Sequence, residues 1–272
     1  MRGGMNGRAI WAAFALALAM CCGLPQARAD DKPAAEKIAP EIWHAPFGGT
    51  FNANITAPSD YSYAGISNNN LQPAIQPGLD YRTPDLLSDL RLWLYLGAWG
   101  SNVTVPAGPG AEIDILGGVK LRPTKQLKLD FGYVRVTYPG FAQDLGYDYG
   151  DFNINVDYDF GPAVLSGRLR FSPNSFANSG WEFNKRALLA VPFKFEKVSF
   201  KAYGSIGNLW VERYLQYGIP SPDYWYWQVG VVTSAFGLDL TLAYTDTNIE
   251  PSGCGNTNNC AARIFASITK TF

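Results

Sequence analysis

Residues able to carry out catalytic chemistry are few in this sequence. Its 272 residues include one histidine, His44, which stands in a stretch rich in Pro, Ala and charge. Covalent catalysis by Ser or Cys usually needs a base beside the nucleophile. We therefore predict no catalytic residue and treat a barrel hydrolase as the less favoured alternative. No metal or cofactor is expected, because zinc-type His/Cys spacing, a Gly-rich phosphate loop and EF-hand spacing are all missing from the sequence.

Cys254 and Cys260 are the residues with the next clearest chemistry. They lie in the polar stretch "GCGNTNNC", and the other two cysteines fall in the N-terminal apolar segment. In an oxidising compartment such a pair predicts a local disulfide. Zinc binding is the competing interpretation, but no further Cys or nearby His could complete the site.

The N-terminal region predicts export. Residues 1–29 combine a basic start, the apolar run "AIWAAFALALAM" and the small-residue motif "ARA", so we predict a signal peptide cut after Ala29. We predict a periplasmic leader or linker over 30–47 and a single barrel domain over 48–272. Cleavage removes three arginines and leaves an acidic mature chain, which argues against a nucleic-acid partner. No later segment reaches the roughly 18 apolar residues of a spanning helix.

The rest of the chain alternates between apolar and polar residues. In "DFNINVDYDF", residues 151–160, the even-numbered positions are apolar and the odd-numbered ones are Asn or Asp. Successive side chains of a strand point to opposite faces, so this pattern predicts a two-faced strand. We count twelve such segments, near 49–65, 73–83, 90–103, 111–122, 126–138, 149–160, 162–172, 179–195, 197–208, 224–234, 237–247 and 261–272.

Three features favour a membrane barrel over a secreted sandwich. The polar faces carry charges of both signs in mid-strand, and short connections alternate with longer polar ones such as "TVPAGPG". Aromatic residues also crowd the segment ends, where amphipathic rings would meet the membrane interface. These are Tyr61, Tyr63, Tyr81, Tyr133, Tyr138, Trp181 and the "YWYW" of 224–227. We predict an all-β, transmembrane, up-and-down antiparallel barrel of about twelve strands with both termini in the periplasm, since closure leaves no unpaired sheet edge in lipid.

The charged faces would then surround the lumen. The candidate lumen-lining residues are Glu112, Asp114, Lys120, Arg122, Lys128, Asp130, Asp157, Asp159, Arg168, Arg170, Glu182, Arg186, Lys201 and Asp239. Their balanced signs predict no preference for cations or anions. Arg168 and Arg170 sit one hairpin from Asp157 and Asp159, which indicates either a constriction or cross-strand pairing. A self-paired plug of salt bridges is the structural alternative to an open lumen.

The last segment, "ARIFASITKTF", has a particular interpretation. Ile264, Ala266, Ile268 and Phe272 share one face, and a terminal strand with this pattern resembles the signal read by the outer-membrane barrel assembly machinery. Lys270 occupies a position that is usually apolar in that signal.

A family resemblance rests on "SDYSYAGISNNNLQPAIQPGLDY" (59–81), "YLGAWGSNV" (95–103), "AEIDILGGVKL" (111–121) and "VTYPG" (136–140). Together with the closing segment, these resemble the proteobacterial TorF family of porin-like proteins over residues 50–272. Membership would imply an outer-membrane β-barrel with a pore function. Ala64 and Pro77 depart from the family pattern.

The expected function is therefore passive diffusion of small polar solutes or ions through the outer membrane of a Gram-negative cell. The expected partners are outer-membrane lipids, the barrel assembly machinery and small polar solutes; the sequence predicts no oligomeric state. A structural or adhesive barrel with a side-chain-plugged lumen, acting through its external loops, is the main alternative.

Overall fold

A computed structural model describes residues 46–272, so the predicted signal peptide, most of the leader and His44 lie outside the described residues. Twelve strands form a closed antiparallel barrel in which β1 pairs with both β4 and β14. They are β1 (Thr50–Pro58), β4 (Gln76–Arg82), β5 (Trp93–Val105), β6 (Gly108–Leu121), β7 (Leu127–Thr137), β8 (Tyr149–Asp159), β9 (Val164–Ser172), β10 (Glu182–Phe195), β11 (Val198–Val211), β12 (Asp223–Ala235), β13 (Leu238–Thr247) and β14 (Arg263–Thr271). The predicted antiparallel barrel of about twelve strands is confirmed.

Shorter elements lie between the barrel strands. A two-stranded sheet, β2 (Ser62–Tyr63) and β3 (Ile66–Ser67), stands between β1 and β4. One short α-helix, α1 (Tyr214–Tyr217), follows β11, and 3-10 turns occur at Pro46–Gly48, Gln143–Leu145, Phe176–Asn178 and Pro251–Cys254. No helix within residues 46–272 is long and apolar enough to cross a membrane.

The two ends of the barrel differ. β1 starts and β14 ends at one end, which we call the terminal end; we call the opposite end the loop end. Connections at the terminal end are residues 83–92, 122–126, 160–163, 196–197 and 236–237. Connections at the loop end are residues 59–75, 106–107, 138–148, 173–181, 212–222 and 248–262. Except at 83–92 and 106–107, short connections therefore gather at one end and long ones at the other.

Two predicted boundaries were wrong. The first segment, predicted over 49–65, ends as a barrel strand at Pro58, because the chain leaves the wall after Ser59 and returns at Ala74, whose N–H donates to the Pro58 carbonyl. The predicted loop "TVPAGPG" is mostly strand, since β5 and β6 pair out to Val105 and Gly108 and leave a two-residue turn. Pairing between neighbouring strands outweighs the turn character of the Gly and Pro residues there.

The turn at Phe236 and Gly237 shows how a short connection forms. Both residues have positive φ, 55° and 71°, between the paired ends Ala235 and Leu238. Two-residue hairpins favour such a turn because its twist matches that of the flanking strands, and Gly adopts it without strain.

Alternation along β6 separates the inside of the barrel from the outside. Glu112, Asp114 and Lys120 are buried, whereas Ile113 and Ile115 are exposed. The polar side chains point into the barrel and the apolar ones point outward. This reverses the usual arrangement of a soluble fold, in which the buried face is apolar.

A row of aromatic side chains crosses the outer surface near the loop end. Tyr133, Phe152, Phe171, Phe183 and Trp210 occupy directly paired positions on the five successive strands β7 to β11. Their ring centroids lie 5.2–6.1 Å apart from one strand to the next. We call these five residues the aromatic ladder.

A second aromatic level lies toward the terminal end. On β10 and β11, Phe193 and Phe200 are paired with centroids 5.4 Å apart. Phe193 follows Phe183 by ten positions, which is roughly 33 Å along the strand and about 25 Å along the axis of a barrel with strands tilted near 40°. Ala187, Leu189 and Val191 alternate outward between these levels. The spacing matches the apolar band of outer-membrane barrels.

Not all aromatics predicted at the interface lie on the outside. Tyr61 and Tyr138 are buried, and in "YWYW" Tyr224 and Tyr226 are buried while Trp225 is exposed. The prediction of an interfacial role was therefore wrong for these tyrosines. Inside the barrel, Tyr61 and Tyr138 donate their hydroxyls to Glu112, and Tyr226 donates to Asn184.

Candidate functional site: the barrel interior

The connection of residues 59–75 folds into the barrel at the loop end, with Asp60, Tyr61, Ser67, Asn69 and Ala74 buried and residues 70, 72, 73 and 75 exposed. We call this segment the lumen plug. Tyr61 and Tyr63 of the plug contact acids on β6 and β10, strands that neighbour neither each other nor β1. The tip of the β2–β3 hairpin packs closely on the wall, since a Cβ on Gly65 would lie 2.6 Å from Cγ2 of Thr247 on β13. A segment that touches walls this far apart must cross the lumen.

Glu112 receives the first anchor of the plug. Tyr61 donates its hydroxyl to Glu112 Oε1 at 2.7 Å, and Tyr138 donates to Oε2 at 2.7 Å. Glu112 is only 4 % exposed. Burial, reinforced by the nearby Glu112 carboxylate, raises the pKa of the Tyr61 and Tyr138 hydroxyls well above their ordinary value. Both hydroxyls therefore stay protonated and keep donating.

Glu182 on β10 receives the second anchor. Tyr63 donates to its Oε1 at 2.9 Å, and Ser175 donates to its Oε2. Burial, together with the nearby Glu182, raises the pKa of Tyr63 well above its ordinary value. The Tyr63 ring also faces Arg170, whose Cζ lies 5.2 Å from the ring centroid. Arg170 in turn pairs with Asp151, with Nε 2.5 Å from Oδ2.

Arg263 on β14 forms the third anchor. Its Nε donates to Asp60 Oδ2 at 2.8 Å, and its terminal nitrogens donate to Ser62 Oγ at 2.9 Å and the Gly65 carbonyl at 3.0 Å. Asp60 and Arg263 are both strongly buried. Charge-assisted contacts of this kind are roughly twice as strong as neutral hydrogen bonds, so this side of the plug is firmly held.

Apolar packing completes the loop-end half of the interior. One cluster gathers Tyr61 with Val136, Tyr138 and Tyr147, and Tyr147 stacks on Phe176 of the next connection at 4.4 Å. A second cluster surrounds Tyr63, Ala64 and Ile66 of the hairpin. Its buried members are Leu209, Val211, Ile219, Tyr224, Tyr226, Ile249 and Cys260. The plug is thus packed on two sides and is part of a core inside the barrel.

The terminal half of the interior is organised by pairs across neighbouring strands. Lys120 lies opposite Asp130, and Lys128 lies opposite Asp157 with Nζ 3.8 Å from Oδ2. Asp130 also accepts hydrogen bonds from Tyr95 at 2.8 Å and from Asn155 at 3.2 Å. Asp130 and Asp157 therefore each face a lysine on an adjacent strand.

Arg168 and Arg186 lie between these two halves. They are directly opposite each other on β9 and β10, on the face that also carries Arg170 and Glu182. The other cross-strand neighbour of Arg168 is Asn155, and that of Arg186 is Gly207. We call Arg168 and Arg186 the arginine pair.

Five predicted lumen residues remain. Asp114 is buried two positions from Glu112 on β6. Arg122, Asp159, Lys201 and Asp239 lie toward the terminal end. Asp159 accepts a hydrogen bond from the Gly161 backbone at 2.7 Å, and Asp239 accepts one from Ser234 at 2.5 Å, so both stabilise terminal-end turns. Arg122 lies 6.0 Å from the Trp93 ring centroid. Whether the predicted set lines an open path stays a prediction.

Sequence reasoning missed several residues of the interior. Asp60, Tyr61 and Tyr63 belong to a segment predicted as strand and loop, and no alternation signals that a loop folds inward. Asp151 could have been found, because it shares the odd-numbered face of β8 with Asp157. Arg170 takes Asp151 as its ion-pair partner, whereas Asp157 pairs with Lys128.

The cysteines and the last strand also have defined places. The Cα atoms of Cys254 and Cys260 lie 6.1 Å apart, a distance that suits the predicted disulfide. Ile264, Ala266, Ile268 and Phe272 are all exposed on the outer face. Lys270, on the same face, donates to the Gly237 carbonyl at 3.3 Å, so its charge is held at the rim. Their role in assembly stays a prediction.

Within residues 46–272, no group of three or more His, Cys, Asp or Glu side chains is arranged to bind a metal ion. The interior combines buried acids bound by tyrosines with cross-strand ion pairs. Such an arrangement can hold a segment in place and can attract or repel charged solutes.

Comparison with known families decides the relationship. The model of the Gcw_chp family, bacterial proteins of unknown function, matches residues 44–272. The chain belongs to the Gcw_chp family. No curated protein matches the sequence. This family match does not test the resemblance to the TorF family, which stays a prediction.

Solved structures with a similar arrangement share little sequence with this Gcw_chp protein. The NanC porin has a TM-score of 0.47 and 7 % identity, with 82 % of this chain and 98 % of that one covered. Salmonella typhi OmpF has a TM-score of 0.47 and 10 % identity, covering 85 % and 99 %. An outer membrane channel from Pseudomonas putida F1 has a TM-score of 0.45 and 9 % identity, covering 87 % and 100 %.

Proposed function

We propose that this protein is an outer-membrane barrel that forms a narrow channel for small polar solutes or ions. One observation carries the proposal: apart from Lys185 beside the aromatic ladder, the residues of β10 that face outward between two aromatic levels are apolar, while the charged residues of β6 face inward. The spacing of about 25 Å between those levels matches the apolar band that such barrels present to lipid. The TorF resemblance of residues 59–81 agrees with the same function.

Topology follows from this proposal. The terminal end, with its short turns, faces the periplasm, and the loop end faces the exterior. Export by a signal peptide cut after Ala29 and recognition of β14 by the barrel assembly machinery belong to the same proposal. Outer-membrane lipids are then the neighbours of the exposed apolar face.

The lumen plug limits what passes. It fills the loop-end half with packed aromatic and hydrogen-bonded side chains, so only a small bore is left for solutes. Twelve strands lie between barrels that side chains fill, near eight strands, and barrels with wide channels, near sixteen. We therefore expect a low conductance, well below that of a general porin.

A second candidate is a structural barrel whose interior is permanently closed. Glu112 and Glu182 favour it, because both are almost fully buried and bound to plug tyrosines. Side chains that line a permanently open path would be wet. The two candidates differ only in whether ions cross.

Planar bilayers distinguish these candidates. Purified, heat-modifiable folded protein is added to one side, and current is recorded in potassium chloride. The channel predicts small, uniform conductance steps that scale with inserted protein. A folded sample that inserts into vesicles but carries no current would reject the channel and leave the closed barrel.

A further inference from the structure

We propose that two neighbouring connections at the terminal end form a binding site for a phosphate group. The site is an open cavity of about 350 Å³ between the tip of the β4–β5 hairpin and the β6–β7 turn, and we call it the terminal cavity. Its lining includes Ser88, Asp89, Arg91, Arg122, Thr124 and Lys125. This inference goes beyond the proposed function, because binding at this end does not require solutes to cross the barrel.

Backbone hydrogen bonds fix the two walls of the terminal cavity. The Arg91 N–H donates to the Ser88 carbonyl at 3.3 Å and closes the hairpin tip. The Arg122 N–H donates to the Leu90 carbonyl at 2.8 Å, which joins the hairpin to the end of β6. The two walls are therefore held together by the main chain, and their side chains are left to contact a ligand.

The lining carries more positive than negative side chains. Arg91 contributes from the hairpin, and Arg122 and Lys125 contribute from the turn, whereas Asp89 is the acid among these lining residues. Arginine forks match the oxygens of a phosphate group in two-point geometry, and a lysine ammonium adds a point charge. A tetrahedral oxyanion in the cavity can thus receive hydrogen bonds from both walls at once.

Thr124 favours an anion over a cation in this cavity. Its Oγ1 accepts the N–H of Gln126 at 3.3 Å and that of Leu127 at 3.0 Å. A hydroxyl group has one donor proton and two acceptor lone pairs. Because two backbone donors already use the oxygen, the hydroxyl is suited to donate its proton to a ligand oxygen.

A nearby acid does not cancel the positive charge. Asp85 lies outside the lining and is shared, with Arg82 at 3.0 Å from Oδ1 and Arg91 Nε at 3.6 Å from Oδ2. A guanidinium has five N–H donors, so this contact at Nε leaves those of the terminal nitrogens for a ligand. Counting Arg82 and Asp85 with the lining gives four cations and two acids, which is a net positive charge.

The position of the cavity allows two sources of phosphate. Arg122 Cζ lies 6.0 Å from the ring centroid of Trp93, which is buried inside the barrel, so the cavity adjoins the lumen mouth. The same hairpin carries the exposed side chains of Leu86 and Leu87. A soluble phosphate compound at the mouth and a phospholipid headgroup at the rim offer the same chemical group.

Calorimetric titration with inorganic phosphate tests the site in folded, heat-modifiable protein in a nonionic detergent. Arg91→Gln/Lys125→Gln should weaken binding by about tenfold or more, because charge-assisted hydrogen bonds are lost. Lys194→Gln/Lys197→Gln is the matched control, since it removes two exposed cations beside another terminal-end turn and should keep the wild-type affinity. Equal affinity in all three proteins, or no binding by wild type, would overturn the site even if the channel conducts. Control-like binding without any current would support the site and reject the channel.

Two further ligands distinguish the sources of phosphate. Glycerol phosphate and phosphatidylglycerol in mixed micelles are titrated into the same proteins. Tighter binding of the lipid identifies a headgroup, and Leu86→Ser/Leu87→Ser should then weaken the lipid alone. Equal affinities identify a soluble phosphate compound. If Arg91→Gln/Lys125→Gln binds both ligands as wild type does, the site is rejected.

Discussion

The two halves of the barrel interior supply different partners to their acidic side chains. In the loop-end half, Glu112 and Glu182 are satisfied by neutral hydroxyl groups of the plug and the adjoining connections. In the terminal half, Asp130 and Asp157 face lysines on adjacent strands. Hydrogen bonds from tyrosine allow an acid to be buried among apolar rings, whereas the Lys128–Asp157 pair is partly exposed.

This difference has a consequence for function. The plug is held by side-chain hydrogen bonds, the Asp60–Arg263 ion pair and apolar packing, while the strand ladder closes without it. The barrel wall and its filling are therefore separable. The terminal half can remain a charged vestibule whether or not the loop end is open.

Removing the plug should produce the largest effect. Replacing residues 60–74 with a short Gly/Ser linker leaves all twelve barrel strands intact, so the barrel should still fold. Single-channel conductance in planar bilayers should rise several-fold, because the packed core at the loop end is lost. A matched Gly/Ser replacement of turn 123–125 at the terminal end should leave conductance unchanged. Equal conductance in both variants would show that the plug does not limit the bore.

Removing Glu112 should cost the most stability among single substitutions. Glu112→Leu leaves the buried hydroxyls of Tyr61 and Tyr138 without an acceptor, and each such group costs about 1–3 kcal/mol, so about 2–6 kcal/mol is expected. Urea unfolding in lipid vesicles measures this loss in the free energy of unfolding. Glu112→Gln, which keeps an acceptor oxygen, should lose clearly less. If Glu112→Leu and Glu112→Gln lower the free energy of unfolding equally, the hydrogen bonds to Glu112 do not hold the plug.

Tyr63→Phe should have a smaller effect than Glu112→Leu. It removes one hydrogen bond to Glu182 but keeps the ring beside Arg170, and a hydrogen bond to a charged group contributes about 1.5–3 kcal/mol. The same urea titration reports the loss. Tyr133→Phe, on the aromatic ladder, is the control and should change stability little; a loss as large as that of Tyr63→Phe would count against the proposed anchor.

Asp157→Asn should have the smallest effect and would sharpen the contrast between the halves. Its carboxylate is 3.8 Å from Lys128 Nζ and both side chains are partly exposed, so the pair should contribute less than about 1 kcal/mol. A stability loss comparable to that of Glu112→Leu would show that the terminal half is as dry as the loop end.

The sequence predicted the wall of the barrel better than its filling. In β8, strict alternation from Phe152 to Asp157 gave both the strand and its faces, because the period of two reports directly on a two-sided sheet. The first segment, in which Pro58 interrupts the alternation, was predicted to run to residue 65, past the true end of β1 at Pro58. Periodicity carries no information about a segment that leaves the wall and folds inward.

The positions of some interior residues could not be predicted from the sequence. Tyr61 and Tyr63 were predicted at the interface, since an amphipathic ring suits both a membrane surface and a buried carboxylate partner. Their location follows from Glu112 and Glu182, which lie 51 and 119 residues away along the chain. The opposition of Arg168 and Arg186 likewise depends on the register of β9 and β10, which residue types alone leave undetermined.

The most direct test of the account asks which face of one strand touches lipid. Val156 and Asp157 are consecutive on β8, with Val156 exposed outside and Asp157 inside. Each is replaced by Cys in a Cys254→Ser/Cys260→Ser background and spin-labelled in vesicles, and collision rates with oxygen and a water-soluble nickel chelate are compared. The account predicts oxygen-dominated relaxation at 156 and stronger chelate access at 157. Equal chelate access at both positions would contradict a barrel whose outer face lies in lipid.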